Sequence, residues 1–235
     1  ASGRMSTDTL LVEIRTEELP PKALARLGKA FADALRGALG QDGFVEADSA
    51  LEWFATPRRL AVALTRVRDT APDAPIERQG PLAKSALDAN GQPTQALVGF
   101  ARKSGVAVDA LEQRDTPKGK AFFYRAMAKG AVLDEILAPK VEAALKGLPI
   151  PKVMRWGAGE AEFVRPAHGL VMLHGSRIVP GSVLGLASGR TTLGHRALSA
   201  GPLTLSDAGD YARMLRVGGH VIASFETRRR AIAEG

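Results

Sequence analysis

Leu10, Val12 and Ile14 alternate with Leu11, Glu13 and Arg15, the two-residue period of a strand with one buried face, and Pro20-Pro21 ends the run. From Lys22 onward the apolar positions become Leu24, Leu27, Phe31, Leu35 and Leu39, which predicts an amphipathic helix over 22–39, with Glu17 and Glu18 ahead of it and Gly40 closing it. Leu51 to Val67 returns to strand character, broken at Thr56-Pro57. Leu60, Val62 and Leu64 share one face there; counting back by two places Arg58 at its rim and Arg59 opposite, with Ala61 and Ala63. Residues 72–93, with Gly80-Pro81 and Asn90-Gly91, read as loop and turn that either separates two lobes or forms a flap. Thr94 is placed to cap a short helix over 94–103 that Gly105 ends, and Lys118-Gly119 marks a hairpin. A helix over 131–146 is expected to be kinked or divided by Pro139, which lacks a backbone donor.

From Phe163 to Arg196 short β-type runs separated by Gly175-Ser176, Pro180-Gly181 and Ser188-Gly189 predict an antiparallel meander. His168, Leu170, Met172 and His174 fall on one face of a strand and Gly169, Val171 and Leu173 on the other; with both faces largely apolar, that strand is central. Ser206 is placed to cap a helix over 206–216, Gly218-Gly219 breaks it, and a last helix runs over 221–233. The pattern predicts an α+β fold with an antiparallel or mixed sheet and flanking helices. Its expected division is a start at 1–5, an α+β lobe over 6–150 and a basic meander with helices over 151–235, bounded near Leu148–Pro151. The arginine-rich end carries no stop signal and reads as a truncation.

Composition narrows the function classes. With 45% apolar residues the chain buries a core, it has no apolar run of membrane-spanning length, and the lack of cysteine excludes disulfide and thiolate chemistry. Cytoplasm is the expected compartment, with no membrane partner. Residues 1–150 carry 21 Lys/Arg against 19 Asp/Glu and residues 151–235 carry 11 against 6, so most of the net +7 lies late in the chain, as do all four histidines. That imbalance is either a solvated basic face or the docking surface of an anionic partner. Lys152, Arg155, Arg165, Arg177, Arg190 and Arg196 interrupt the apolar runs, with Trp156, His168 and His195 among them, a mixture suited to an RNA-facing sheet.

The individual candidates carry competing readings. His168, His174 and His195 lack the cysteines or carboxylates that complete a metal set, and the serines at 176, 182 and 188 lack a nucleophile-elbow context. Gly185 to Arg196 has glycines without Walker spacing; it is either a turn between strands or a loop whose Arg190, Thr191, Thr192, His195 and Arg196 grip phosphate and ribose. Arg58 at the rim of an apolar face needs an anion, either Glu17 or Glu18 within the chain or RNA, with Arg59 considered alongside it. Arg228, Arg229 and Arg230 spread too widely around a helix to face one partner.

Several strings resemble one family. LLVEIRTEELPPKAL at Leu10, ATPRRLAVAL at Ala55, GPLAKSALDANGQPTQALVGFARKSGV at Gly80, TPKGKAFF at Thr116 and LPIPKVMRWG at Leu148 occur in order, followed by FVRP-H and T-GHR patterns at Phe163 and Thr192. They resemble the β subunit of the two-subunit bacterial glycyl-tRNA synthetase. Two positions depart from its pattern: Arg15 stands where glycine is usual, and Gly169 follows His168 where tryptophan is common. The resemblance implies a B3/B4-like RNA-associated module that serves ATP-dependent glycylation of tRNA as part of a hetero-oligomer with an α subunit. It places ATP, Mg and glycine on that α subunit, with no cofactor and no catalytic residue here. The tRNA-binding set it suggests is Lys152, Arg155, Arg165, His168, Arg190, His195, Arg196, Arg58 and Arg59. Two other roles stay open: a subunit-interface module without RNA contact, and an editing-like pocket acting on aminoacyl-tRNA, with His168 and His195 as its polar groups.

Overall fold

The computed structural model describes residues 6–150, 154–155 and 162–234, and of Met154, Arg155 and Glu162 the backbone alone. Its elements in chain order are β1 (Thr7–Thr16), α1 (Leu24–Gln41), β2 (Leu51–Thr56), β3 (Arg59–Arg68), β4 (Ala74–Leu82), α2 (Ala83–Ala86), α3 (Gln95–Ser104), β5 (Glu112–Thr116), β6 (Gly119–Ala128) and α4 (Leu133–Lys146). They continue with β7 (Met154–Arg155), β8 (Glu162–Phe163), β9 (Ala167–His174), β10 (Arg177–Ile178), β11 (Ser182–Val183), β12 (Leu186–Ala187), β13 (Thr191–Leu193), β14 (Pro202–Thr204), α5 (Tyr211–Val217) and α6 (Phe225–Glu234). The fold is α+β, and every pair of these strands is antiparallel.

The chain forms two compact units, Pro72–Gly130 and everything on either side of it. The expected boundary near Leu148–Pro151 falls inside the second of these, because β9 pairs along nearly all of β1 and so ties the late segment to the N-terminal strand.

The larger unit is built on a five-stranded sheet ordered β10-β9-β1-β3-β2. One face presents Leu10, Val12 and Ile14, Leu60, Val62 and Leu64, and Leu170 and Met172. It is covered by the apolar stripe of α1, Leu24, Leu27, Phe31, Leu35 and Leu39, and by Leu133, Leu137 and Val141 of α4. Each such large side chain taken fully from water contributes about 1.5–3 kcal/mol, so this layer dominates the unit's stability. Pro139 does not divide α4, which runs unbroken around it.

The opposite face is also buried. Leu11, Phe54, Ala61, Val171 and Leu173 lie under a second layer of Leu205, Ala208, Tyr211, Leu215 and Ala223. The strand carrying His168 and His174 is thus apolar on both sides, as its residues suggested. The segment from 163 is not one continuous meander, however: β9 and β10 join the main sheet, while β11-β12 and β13-β14 are separate hairpins. Asp207, not Ser206, caps the turn that leads into α5, accepting from Gly209 N–H at 2.8 Å. The last helix begins only at Phe225.

The smaller unit is a three-stranded sheet, β4-β6-β5, closed by the hairpin at Lys118-Gly119. Ala86, Leu97, Ala101, Leu111 and Phe122 form its core. β4 corrects the expectation that 72–93 is all loop. It lies at the sheet edge, pairing with β6 alone, the kind of strand in which a proline such as Pro75 is tolerated, and the register shifts between Gln79 and Leu82, around Pro81.

Candidate functional site

At one end of the main sheet, three segments meet. Thr16 N–H donates to the Arg58 carbonyl at 2.9 Å, Leu19 N–H to Pro57 at 2.6 Å and Glu17 N–H to Pro166 at 2.9 Å. These bonds tie the exit of β1 to the β2–β3 turn and to the approach to β9. A fourth wall is the loop after β13. His195 N–H donates to the Gly219 carbonyl at 2.6 Å, and Gly194 packs so closely that a Cβ there would stand 2.4 Å from Gly219 Cα. Between them lies a cleft of about 760 Å³ lined by Arg15, Glu17, Arg58, Arg59, His168 and the Leu193–Arg196 stretch.

One buried acid organises this end of the molecule. Glu13 has no exposed surface, although it stands in a strand whose alternation suggested a solvent face. It accepts from Thr192 Oγ1 at 2.6 Å, from Arg59 at 3.1 Å and from the Tyr211 hydroxyl. Burial first, then Glu13, pushes the Tyr211 phenol well above its usual range. For Arg59 burial opposes the charge, but Tyr211 and Glu13 outweigh it, and its pKa lies above the ordinary guanidinium value. Arg59 also donates to Thr56 Oγ1 at 3.2 Å and to the Leu193 carbonyl at 2.5 Å. Glu13 and Arg59 together therefore bolt the β13 loop onto the sheet.

Glu13 and Tyr211 were missed in the sequence because the layer that buries them arrives almost two hundred residues later. A lone carboxylate within LLVEI was the available signal. The two arginines of the β2–β3 turn also exchange the places expected of them. Arg58 lies in the turn with its side chain 47% exposed, whereas Arg59, on the Ala61 face, is the buried one. Arg58 does find Glu17 and Glu18, at 3.8 and 3.6 Å.

Of the other predicted residues, His168 lines the cleft with Nε2 at 2.8 Å from Glu17 Oε1. His195 is exposed, its Nδ1 accepting from Ala197 N–H at 3.2 Å. Arg196 is exposed and, among the described residues, makes no hydrogen bond or ion pair. Arg165 donates to the Glu18 carbonyl at 2.9 Å, beside the cleft wall. Arg190 lies elsewhere, its guanidinium donating to the carbonyls of Ser176 at 2.8 Å and Leu205 at 3.4 Å. Lys152, Trp156 and the Arg155 side chain fall outside the described residues. His174 is buried with Nε2 2.7 Å from the Val67 carbonyl. In α6, Arg228 donates to the Ala55 and Ile222 carbonyls, Arg229 pairs with Glu226, and Arg230 is exposed. Among the described residues no group of three or more acids and histidines is placed to hold a metal ion.

Residues 10–235 match the family described as glycyl-tRNA synthetase beta subunit. The chain belongs to that family. It is 48% identical to the glycine–tRNA ligase beta subunit of Aromatoleum aromaticum over 228 residues, 44% to that of Edwardsiella ictaluri over 228, and 43% to that of an Escherichia coli strain over 225. These alignments cover 96–97% of the chain but only 32–33% of the relatives, so the chain spans about a third of their length. Arg15 and Gly169, read from the sequence as departures from the family's strings, are direct cross-strand partners, and a Cβ on Gly169 would stand 2.2 Å from Arg15 Nη2. The guanidinium fills the room that a side chain at 169 would take.

Proposed function

We propose that this chain is the part of a glycine–tRNA ligase β subunit that binds and positions tRNA at its cationic cleft and helps assemble the subunits, while a partner α subunit carries ATP, Mg and glycine. The observation that carries the reading is the convergence of Arg15, Arg58, Arg59 and Arg196 from separate elements around one cleft, with Glu17 the only acid in its lining among the described residues. Such a cleft concentrates an anionic ligand, and guanidinium groups fixed on different segments match the successive oxygens of a phosphate backbone. The rings of His168 and His195 supply additional donors and stacking surfaces at the same place. With Arg59 spent on Glu13 and Leu193, contact with RNA falls to Arg58, Arg196 and Arg15, and the chain's role is orientation of RNA, without bond-making of its own.

The reading is tested by titrating the chain with glycine tRNA in a gel-shift assay at low and moderate salt, comparing the native chain with Arg196→Glu. A complex that weakens with salt and with charge reversal supports it. Failure to form any complex at low salt, with co-purification of an α subunit intact, replaces it with a purely architectural role. Release of amino acid from mischarged tRNA by the isolated chain would favour the editing-like pocket.

A further inference from the structure

Two guanidinium groups that line the cleft approach one buried carboxylate, and only one of them hydrogen-bonds to it. Glu13 accepts from Arg59 at 3.1 Å, and from Thr192 and Tyr211. Arg15 Nε is left 3.8 Å from Glu13 Oε1, beyond hydrogen-bond range, and is a buried donor without a partner among the described residues. Its side chain is 18% exposed, and its surroundings include the like charge of Arg59. Among the described residues Arg15 makes no hydrogen bond and only this one long ion pair, so its guanidinium, which lines the cleft, is available to an oxyanion there. The protein also makes room for it, since only glycine at 169 leaves space for the guanidinium in this position.

We infer that Arg15, seated over Gly169, is a phosphate-binding group of the cleft, completing with Arg58 and Arg196 a three-guanidinium cradle for a phosphate oxyanion. The phosphate is supplied by the RNA backbone, an assignment that rests on the proposed function above. Arg58 holds its two glutamates only at 3.6–3.8 Å and Arg196 has no partner among the described residues, so both retain donors for the same ligand. Gly169 acts as a positioning residue: the nearest atoms that a methyl group there meets are those of the flexible Arg15 guanidinium, which it displaces.

The test measures the Kd of the 235-residue chain for fluorescently labelled glycine tRNA by anisotropy, and for 5′-AMP and inorganic phosphate by calorimetry. The variants are Arg15→Gln, Gly169→Ala, their combination, and Arg36→Gln, an exposed basic residue of α1 outside the cleft. Removal of one charge-assisted hydrogen bond predicts that Arg15→Gln weakens tRNA binding about 10-fold. Gly169→Ala is expected to do the same with an unchanged unfolding midpoint, the combination to be no worse than either single variant, and Arg36→Gln to stay within about 2-fold of native. The inference is overturned if native chain binds tRNA while Arg15→Gln and Gly169→Ala bind equally well, or if Arg36→Gln loses as much. If native chain binds no tRNA but binds 5′-AMP or inorganic phosphate in an Arg15-dependent way, the RNA source is overturned and the cradle serves a free phosphate ligand.

Discussion

Replacing Glu13 with glutamine keeps the shape of a fully buried side chain and removes its charge. Three donors converge on that carboxylate: the Arg59 guanidinium, the Thr192 hydroxyl and the Tyr211 hydroxyl. In Glu13→Gln one oxygen becomes an amide nitrogen, itself a donor, so at least one of the three loses its acceptor and Arg59 becomes a buried charge without a counterion. A neutral hydrogen bond is worth about 1 kcal/mol, whereas stranding a buried charge costs about 3–5 kcal/mol, a large share of the 5–15 kcal/mol that holds a typical domain together. Glu13→Gln is therefore expected to lose about 3–5 kcal/mol, and Glu13→Leu combined with Arg59→Met to recover part of it, because the stranded Arg59 charge is gone while the Thr192 and Tyr211 hydroxyls still lack their acceptor. Urea unfolding followed by tryptophan fluorescence measures this in the larger unit, since Trp53 and Trp156 both lie outside residues 72–130. A loss below about 1 kcal/mol for Glu13→Gln, or a double variant as unstable as Glu13→Gln, would refute the idea that this pair bolts the β13 loop to the sheet.

Two further perturbations follow. Because Tyr211 has its pKa raised in the folded state, its contribution is complete below the unfolded value of 10.0 and is lost as pH rises through the folded value. Unfolding midpoints should thus fall above about pH 10 in the native chain and less steeply in Tyr211→Phe; parallel pH profiles would contradict this. Gly194→Ala drives a Cβ into Gly219 Cα at 2.4 Å and its carbonyl at 2.6 Å, both backbone atoms that cannot swing away. It should cost about 1–3 kcal/mol and weaken tRNA binding severalfold by shifting His195 and Arg196, and a Kd equal to native would show the loop's position is immaterial.

The elements that made themselves plain in the sequence were those whose burial has a simple period. The stripe of α1 and the alternation of β1 were readable because each repeats against one neighbour, and the central placement of β9 followed from its two apolar faces. What eluded sequence reasoning depends on long-range partners. Glu13 looked solvent-facing because the Tyr211 layer that covers it lies far along the chain, and that same layer makes Arg59 rather than Arg58 the buried arginine. β4 was unreadable because an edge strand tolerates prolines that ordinarily argue against a strand. At the cleft, Arg58, His168, His195 and Arg196 were recognisable from their residue types and strings. Arg15 was not, because its place in the lining depends on the room that Gly169 leaves for it across the sheet.

If Arg58 and Arg196 hold phosphates of tRNA in the cleft, the slope of log K against log salt counts the phosphates neutralised directly. Each arginine–phosphate pair removed by substitution should reduce the magnitude of that slope by about 0.7–0.9. Native chain and Arg58→Gln/Arg196→Gln, titrated with glycine tRNA across a range of salt, should differ in slope by about 1.4–1.8, with the variant weaker at low salt and the two converging as salt rises. Identical slopes and affinities would mean that RNA does not enter the cleft.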